Sequence, residues 1–122
     1  MGREIPIMGS DDIQGGGGGP GAWGTSSPVT ISGGVITLGS SKIYVISSES
    51  GVSDTITSIS APGLNYGDEV ILTSATGHSI TITKGTFLKM PIPCFLDNID
   101  DELRLRYIGS DTFREVVRVS NS

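Results

Sequence analysis

From Val29 to Val119 the chain is written in short runs with a period of two, each closed by glycine, proline or a polar turn. No ten-residue stretch shows helical periodicity. That pattern constrains the fold more than any other feature, because alternation over four to eight residues places every second side chain on one face of a pleated strand. Composition agrees. Ile (15), Thr (11) and Val (8) are abundant, whereas Ala (3) and Leu (7) are scarce. β-Branched residues suit strands, and the best helix formers are missing. With 122 residues and 36% apolar content, the chain is long enough for one domain with a real core.

Val29-Thr30-Ile31-Ser32 and Val35-Ile36-Thr37-Leu38 flank Gly33-Gly34. A glycine pair between two alternating runs predicts a two-residue hairpin, since both turn positions require positive φ. Closure there pairs Ser32 with Val35, Ile31 with Ile36 and Val29 with Leu38. Val29, Ile31, Ile36 and Leu38 then share one face, opposite Thr30, Ser32 and Thr37. Further strands are predicted at 42–47, 54–59, 69–73 and 79–83. Glu69-Val70-Ile71-Leu72-Thr73 is apolar on both faces, as in a strand covered on both sides. Pro91 and Pro93 make 90–95 a buried loop or an edge strand. A last hairpin joins 103–108 to 113–119. Pairing Ile108 with Phe113 sets Arg106 against Glu115 and Leu105 against Val116, a register that a bulge would shift. Neither face of this hairpin is purely apolar, which suits one face on the core and one on a neighbour. The fold class is all-β, and the expected form is a compact antiparallel β-sandwich or barrel-like domain over residues 29–122.

Residues 1–28 read differently. The run Gly15–Gly19 followed by Pro20-Gly21 cannot hold regular structure by itself. Ile5, Ile7, Met8 and Ile13 precede it and Trp23 follows it. These side chains are too few to fold alone and too apolar for a solubilising tail. One reading is an extended N-terminal arm that orders on a partner through those five anchors. The other is a terminus whose Trp23 folds back on its own domain.

The net charge is −5, so no basic surface for nucleic acid is expected at the level of the whole chain. Residues 103–122 nevertheless carry Arg104, Arg106, Arg114 and Arg118 against two acids, while residues 29–102 carry three lysines against eight acids. Opposite signs on one small domain suit self-association, and the four arginines are candidate partner-binding residues. A single cysteine, Cys94, excludes an intrachain disulfide framework and fits assembly in a reducing compartment. No run of 18 apolar residues spans a membrane, and no signal-peptide pattern is present.

Constellations that carry chemistry are weak. Gly19-Pro20-Gly21-Ala22-Trp23-Gly24 matches G-x-G-x-x-G, but no strand precedes it and no helix follows. His78, the sole histidine, sits beside Gly77 in an expected exposed turn, a poor place for a general base. His78 and Cys94 lack the close ligand spacing of zinc sites. Asp97, Asn98, Asp100, Asp101 and Glu102 could gather oxygens around calcium, yet the loop lacks the EF-hand glycine and distal glutamate. Asp54 with Glu69, or Asp68 with Asp111, would be the carboxylate pairs of a glycosidase, but aromatic platforms are few. No cofactor, metal or catalytic residue is therefore assigned, and the expectation is a protein that is not an enzyme.

The stretch Gly67-Asp68-Glu69-Val70-Ile71-Leu72, then Ser79–Gly85, Leu103-Arg104-Leu105-Arg106-Tyr107 and Phe113–Arg118 resembles the small β domains of tailed-bacteriophage virion proteins: decoration proteins and fibre or spike ends. The resemblance covers about residues 55–120. It implies a virion structural role, a homotrimer and no catalytic residues. On it rests the expectation of a capsid decoration (cement) protein, assembled in the host cytoplasm. Its partners would be itself and the major capsid protein or another virion protein. The alternative is a short head-fibre or tail-tip module that binds a host surface glycan through loops near Gly51, Gly77-His78 and Gly109-Ser110.

Overall fold

The computed structural model describes residues 25–98 and 100–119, and their only regular structure is strand. In chain order the strands are β1 (Ser26–Thr30), β2 (Val35–Thr37), β3 (Ile43–Ser47), β4 (Ser53–Ile56), β5 (Ser58–Ser60), β6 (Glu69–Ser74), β7 (Ser79–Ile82), β8 (Leu88–Lys89), β9 (Cys94–Leu96), β10 (Glu102–Tyr107) and β11 (Phe113–Val119). The all-β class is thus the observed one. β1 begins at Ser26, so Ser26–Pro28 belong to the folded body rather than to the arm expected over 1–28. The proposed anchors Ile5, Ile7, Met8, Ile13 and Trp23 lie outside the described residues.

The arrangement differs from the antiparallel sandwich or barrel that the turns suggested. β1, β3 and β6 stack in parallel, as do β2 with β5 and β4 with β7. The chain therefore winds in solenoid-like coils, each laid on the one before. The first coil is β1–β2, the second β3–β4–β5, and the third opens with β6–β7. Parallel neighbours need a long return path. Here that path is the rest of the coil, so no helix is required.

Interior side chains stack in register. Ser27, Tyr44 and Leu72 form one column, Val29, Ile46 and Ser74 the next. Ile36 stands over Ile59, and Ile56 over Ile82. Every aliphatic in these columns except Val29 is at most 1% exposed, and all belong to or pack on one core cluster. Corner hydrogen bonds tie coil to coil: Leu38 N–H donates to Ser60 O at 2.8 Å, Thr83 N–H to Ile56 O at 3.1 Å and Ala75 N–H to Ile46 O at 2.8 Å.

The glycine turn forms, but its hairpin stops after one bridge. Gly33 and Gly34 have φ of +59° and +81°, and only Ser32 pairs with Val35. Ile31 N–H then donates to Ser47 O, and the strands part to separate neighbours, β1 to β3 and β2 to β5. Tertiary stacking overrides the local hairpin because it buries Ile31 and Ile36, both 0% exposed, inside one core. The predicted facing survives: Leu38 is buried, and Thr30, Ser32 and Thr37 are exposed. Gly34 has a second reason to be glycine. A Cβ there would come within 2.9 Å of Thr57 Oγ1, where the second coil crosses, and Thr57 N–H donates to Gly34 O at 2.8 Å.

Both ends of the stack are managed. At the first coil, Ile31 N–H points toward β3, so alternation turns the imide nitrogen of Pro28 to the other edge of β1, which pairs with no strand among the described residues. A proline there removes a donor from the exposed ladder and blunts strand addition. At the far end the hand of pairing changes. β10 runs antiparallel to β6, setting Leu103 against Leu72 and Leu105 against Val70, and β9 runs antiparallel to β7. β11 continues the sheet and meets β8 in parallel. Strands β8–β11 thus cap the solenoid, as terminal repeats do in stacked proteins. β6, in the middle, is covered on both faces as predicted: Val70 and Leu72 inward, and Ile71 only 8% exposed on the outer face.

Three substitutions test this packing. Ile59→Ala should lower unfolding free energy by about 2–5 kcal/mol in denaturant titrations, because the neighbouring coil cannot collapse into the void. Gly34→Ala should cost at least ~1 kcal/mol through strain at positive φ and the Thr57 contact. Val52→Ala, at a 59%-exposed turn position, should stay within ~0.5 kcal/mol.

Candidate docking surface

The outer face of the cap carries charged and apolar side chains next to one another. Register sets the pattern. On β10 and β11, Leu103, Leu105 and Phe113 point inward and are buried. Arg104, Arg106, Arg114 and Val117 alternate outward. The expected register of this hairpin is shifted by one residue. Its turn uses Gly109, Ser110 and Asp111 at φ +92°, +53° and +53°, so pairing starts at Tyr107 with Phe113. A bulge between Arg104 and Leu105 leaves Val116 unpaired. Arg106 therefore stands opposite Arg114 rather than Glu115, and its carboxylate is Glu69 on the other neighbour, at 2.9 Å.

The bulge has a second effect. In an unbroken strand, residues three apart point to opposite faces. The extra residue restores Glu115 and Arg118 to one side, where they form a 2.6 Å ion pair. Arg118 also donates to the carbonyls of Ile92 and Pro93, both at 2.8 Å. Those two carbonyls belong to the proline loop, which has no ladder to join. Glu115 holds the Arg118 guanidinium above its usual pKa. Of the four arginines proposed to bind a partner, the structure brings Arg104, Arg106 and Arg114 to the outer face and turns Arg118 inward as a clamp.

Two lysines that sequence reasoning left out join the outer set. The parallel β8–β11 pairing puts Lys89 beside Arg114. Lys89, Arg114 and Arg106 thus lie in one row across three strands, with Glu69 closing it beyond Arg106. Like charges in directly facing positions repel, and among the described residues neither Lys89 nor Arg114 has an ion pair. Lys84, whose ammonium donates to Pro91 O at 3.3 Å, lines a shallow open basin with Lys89, Met90, Pro91, Arg114 and Val116. Of the exposed apolar side chains of the cap, Val116 lines the basin, and Val117 and Val119 follow it on β11, each 40–46% exposed. Apolar side chains left in solvent beside a row of cations on a sheet face suit docking.

The remaining sequence candidates are consumed by structure. Asp54 accepts from the N–H groups of Glu49 and Thr55, Asp68 from Asn65, and Asp111 from Ala61 across 50 residues of chain. Glu69 pairs with Arg106. The two imagined carboxylate pairs are therefore four separate tethers. His78 is half-buried rather than exposed, and its Nδ1 accepts Ser48 N–H at 3.0 Å, joining the second coil to the third. In the acidic loop Asp101 is fully buried and accepts from Asp97 N–H. Among the described residues no three or more His, Cys, Asp or Glu side chains converge to hold a metal ion. Burial pushes the Cys94 thiol above its usual pKa, with the nearby Arg118 charge opposing part of that rise.

Comparison with family models, with curated proteins and with solved structures gives no match.

Arg118→Ala should destabilise the fold by about 2–3 kcal/mol, because two loop carbonyls and Glu115 lose their donor together. Arg118→Lys should recover only part of that, since an ammonium cannot reproduce the guanidinium fork. In the native protein Cys94 should react with a thiol reagent at pH 8 far more slowly than in the denatured chain; equal rates would contradict its burial and raised pKa.

Proposed function

We propose that this chain is a non-enzymatic structural protein of a tailed-bacteriophage virion, a decoration protein that binds the capsid as a homotrimer and stabilises the shell. One observation carries the reading. The ionisable groups of the interior are spent on tethers, while the cap offers Val116, Val117 and Val119 beside Arg106, Arg114 and Lys89 on a rigid sheet face. A surface of that kind gains by being covered, at about 25 cal/mol per Å² of apolar area removed from water. Its position on strands rather than loops keeps it preorganised, so little entropy is lost on docking. The anchors Ile5, Ile7, Met8, Ile13 and Trp23 would extend the contact to neighbouring virion subunits.

A second reading, a head-fibre or tail-tip module that binds a host glycan, is favoured by exposed aromatics. Tyr66 is 77% exposed and Phe95 60%, and rings of this kind offer faces on which sugars stack.

The readings separate in one experiment. Val116→Asp with Val117→Asp should leave the soluble fold intact, abolish binding to capsids lacking the protein, and leave those capsids as fragile to heat as undecorated ones. Particles that stay heat-stable but adsorb poorly to cells would favour the glycan module. A double variant that decorates and protects as the parent does would exclude the valine face. A chain starting at residue 25 should keep the fold and lose capsid affinity if the anchors act as proposed.

A further inference from the structure

We propose that the basin bounded by Lys84, Lys89 and Arg114 is one half of a contact between copies of this chain, and that its occupants are the Asp97 and Glu102 carboxylates of a second copy. The inference concerns self-association and holds with or without a capsid.

The basin is the starting point. Register forces Lys89, Arg114 and Arg106 into adjacent positions on three neighbouring strands, about 4.8 Å apart. Glu69 neutralises Arg106. Glu115, the other carboxylate at the rim, is committed to Arg118. Lys89 and Arg114 are exposed, and Lys84 enters from the adjoining loop. The protein carries a net charge of −5, yet it concentrates uncompensated cations at one concavity. Such a site favours an anion, and Met90, Pro91 and Val116 at its wall favour a ligand with apolar surface beside its charge.

Charge complementarity selects the occupant. The same cap presents Asp97 and Glu102 in exposed positions, and among the described residues neither has an ion pair. Two hydrogen bonds link the described residues next to them: Asp101 N–H donates to Asn98 O at 2.9 Å, and the buried Asp101 carboxylate accepts Asp97 N–H at 3.1 Å. Leu96, at the base of the loop, is buried, whereas Phe95 beside it is 60% exposed and could cover the apolar wall of the basin. Within one copy Glu102 lies four positions along β10 from Arg106, roughly 13 Å at strand rise, too far for that pair to form. Pairing with a neighbour brings unlike patches together. Contact between two different patches is heterologous, the kind that closes into a ring such as a trimer.

Sedimentation velocity on the full-length chain tests this. The wild type should form a closed oligomer at low salt that weakens as salt rises. Lys89→Glu with Arg114→Glu, and separately Asp97→Lys with Glu102→Lys, should each weaken assembly about tenfold or more while keeping the wild-type circular dichroism and melting transition. Mixing the two variants should restore association that neither has alone, since each supplies the patch that complements the other. If one pair fails to fold, Lys84→Glu replaces the basic reversal. A wild-type monomer at low salt, reversal variants that assemble as well as the parent, or a mixture that stays monomeric would each overturn the proposal. So would basin variants that lose only the binding of added sulfate, which would make the basin an anion site for another ligand. The basin shares Lys89, Arg114 and Val116 with the surface of the proposed function, so capsid binding is measured beside assembly: a chain that decorates capsids as a monomer fails this proposal alone, and one that assembles but leaves capsids undecorated fails the virion reading alone.

Discussion

The structure depends on one constraint: aliphatic side chains in one coil must lie directly over those of the next. Ile36 over Ile59, Ile56 over Ile82 and Val29 over Ile46 fix the register of the parallel ladders. Because side chains alternate across a strand, a slip of one residue would turn these columns outward. Hydrogen bonds between coils then fall into place along the ladders and at the corners. Eight buried isoleucines, β-branched and stiff at χ1, supply much of the stacked interior beside six leucines and few aromatics.

Stacking creates an obligation at each end, since a parallel ladder leaves an unpaired edge. The first edge is dulled by a proline that lacks the outward donor. The last is covered by antiparallel strands, and it is this cap that carries the row of Lys89, Arg114 and Arg106. The two facts are linked. Strands added to close a stack have one face on the core and one on solvent, and the solvent face is free to acquire chemistry. The bulge at Val116 serves both sides, turning Glu115 and Arg118 inward to hold the proline loop while leaving valines outside.

Much of this was legible in the sequence. The period-two runs gave the all-β class, the double apolar character of 69–73 marked a strand covered on both faces, and Gly33-Gly34 marked a turn with positive φ. What could not be read was which strand lies beside which. Ile43 stands over Ser26 and Ile71 over Ile43, while Ser58 stands over Val35 and Ser79 over Ser53, with no constant spacing between partners. Coils of unequal length leave no repeat to find, and a local glycine turn imitates a hairpin that the stack then overrides. The same non-local pairing hid Lys89 from the docking surface, because its place beside Arg114 exists only once β8 has joined β11. His78 looked like an exposed loop residue because its acceptor role toward Ser48 depends on two coils meeting.

All of this requires β2 to lie on β5 and β1 on β3, not β1 on β2. Nuclear Overhauser contacts between backbone protons distinguish the two pairings. Cross-strand contacts are expected between the backbones around Ile36 and Ile59 and between those around Val29 and Ile46, with only the Ser32–Val35 bridge spanning the glycine turn. A continuous ladder of contacts from Ile31 to Ile36 and from Val29 to Leu38, with none between Ile36 and Ile59, would contradict it.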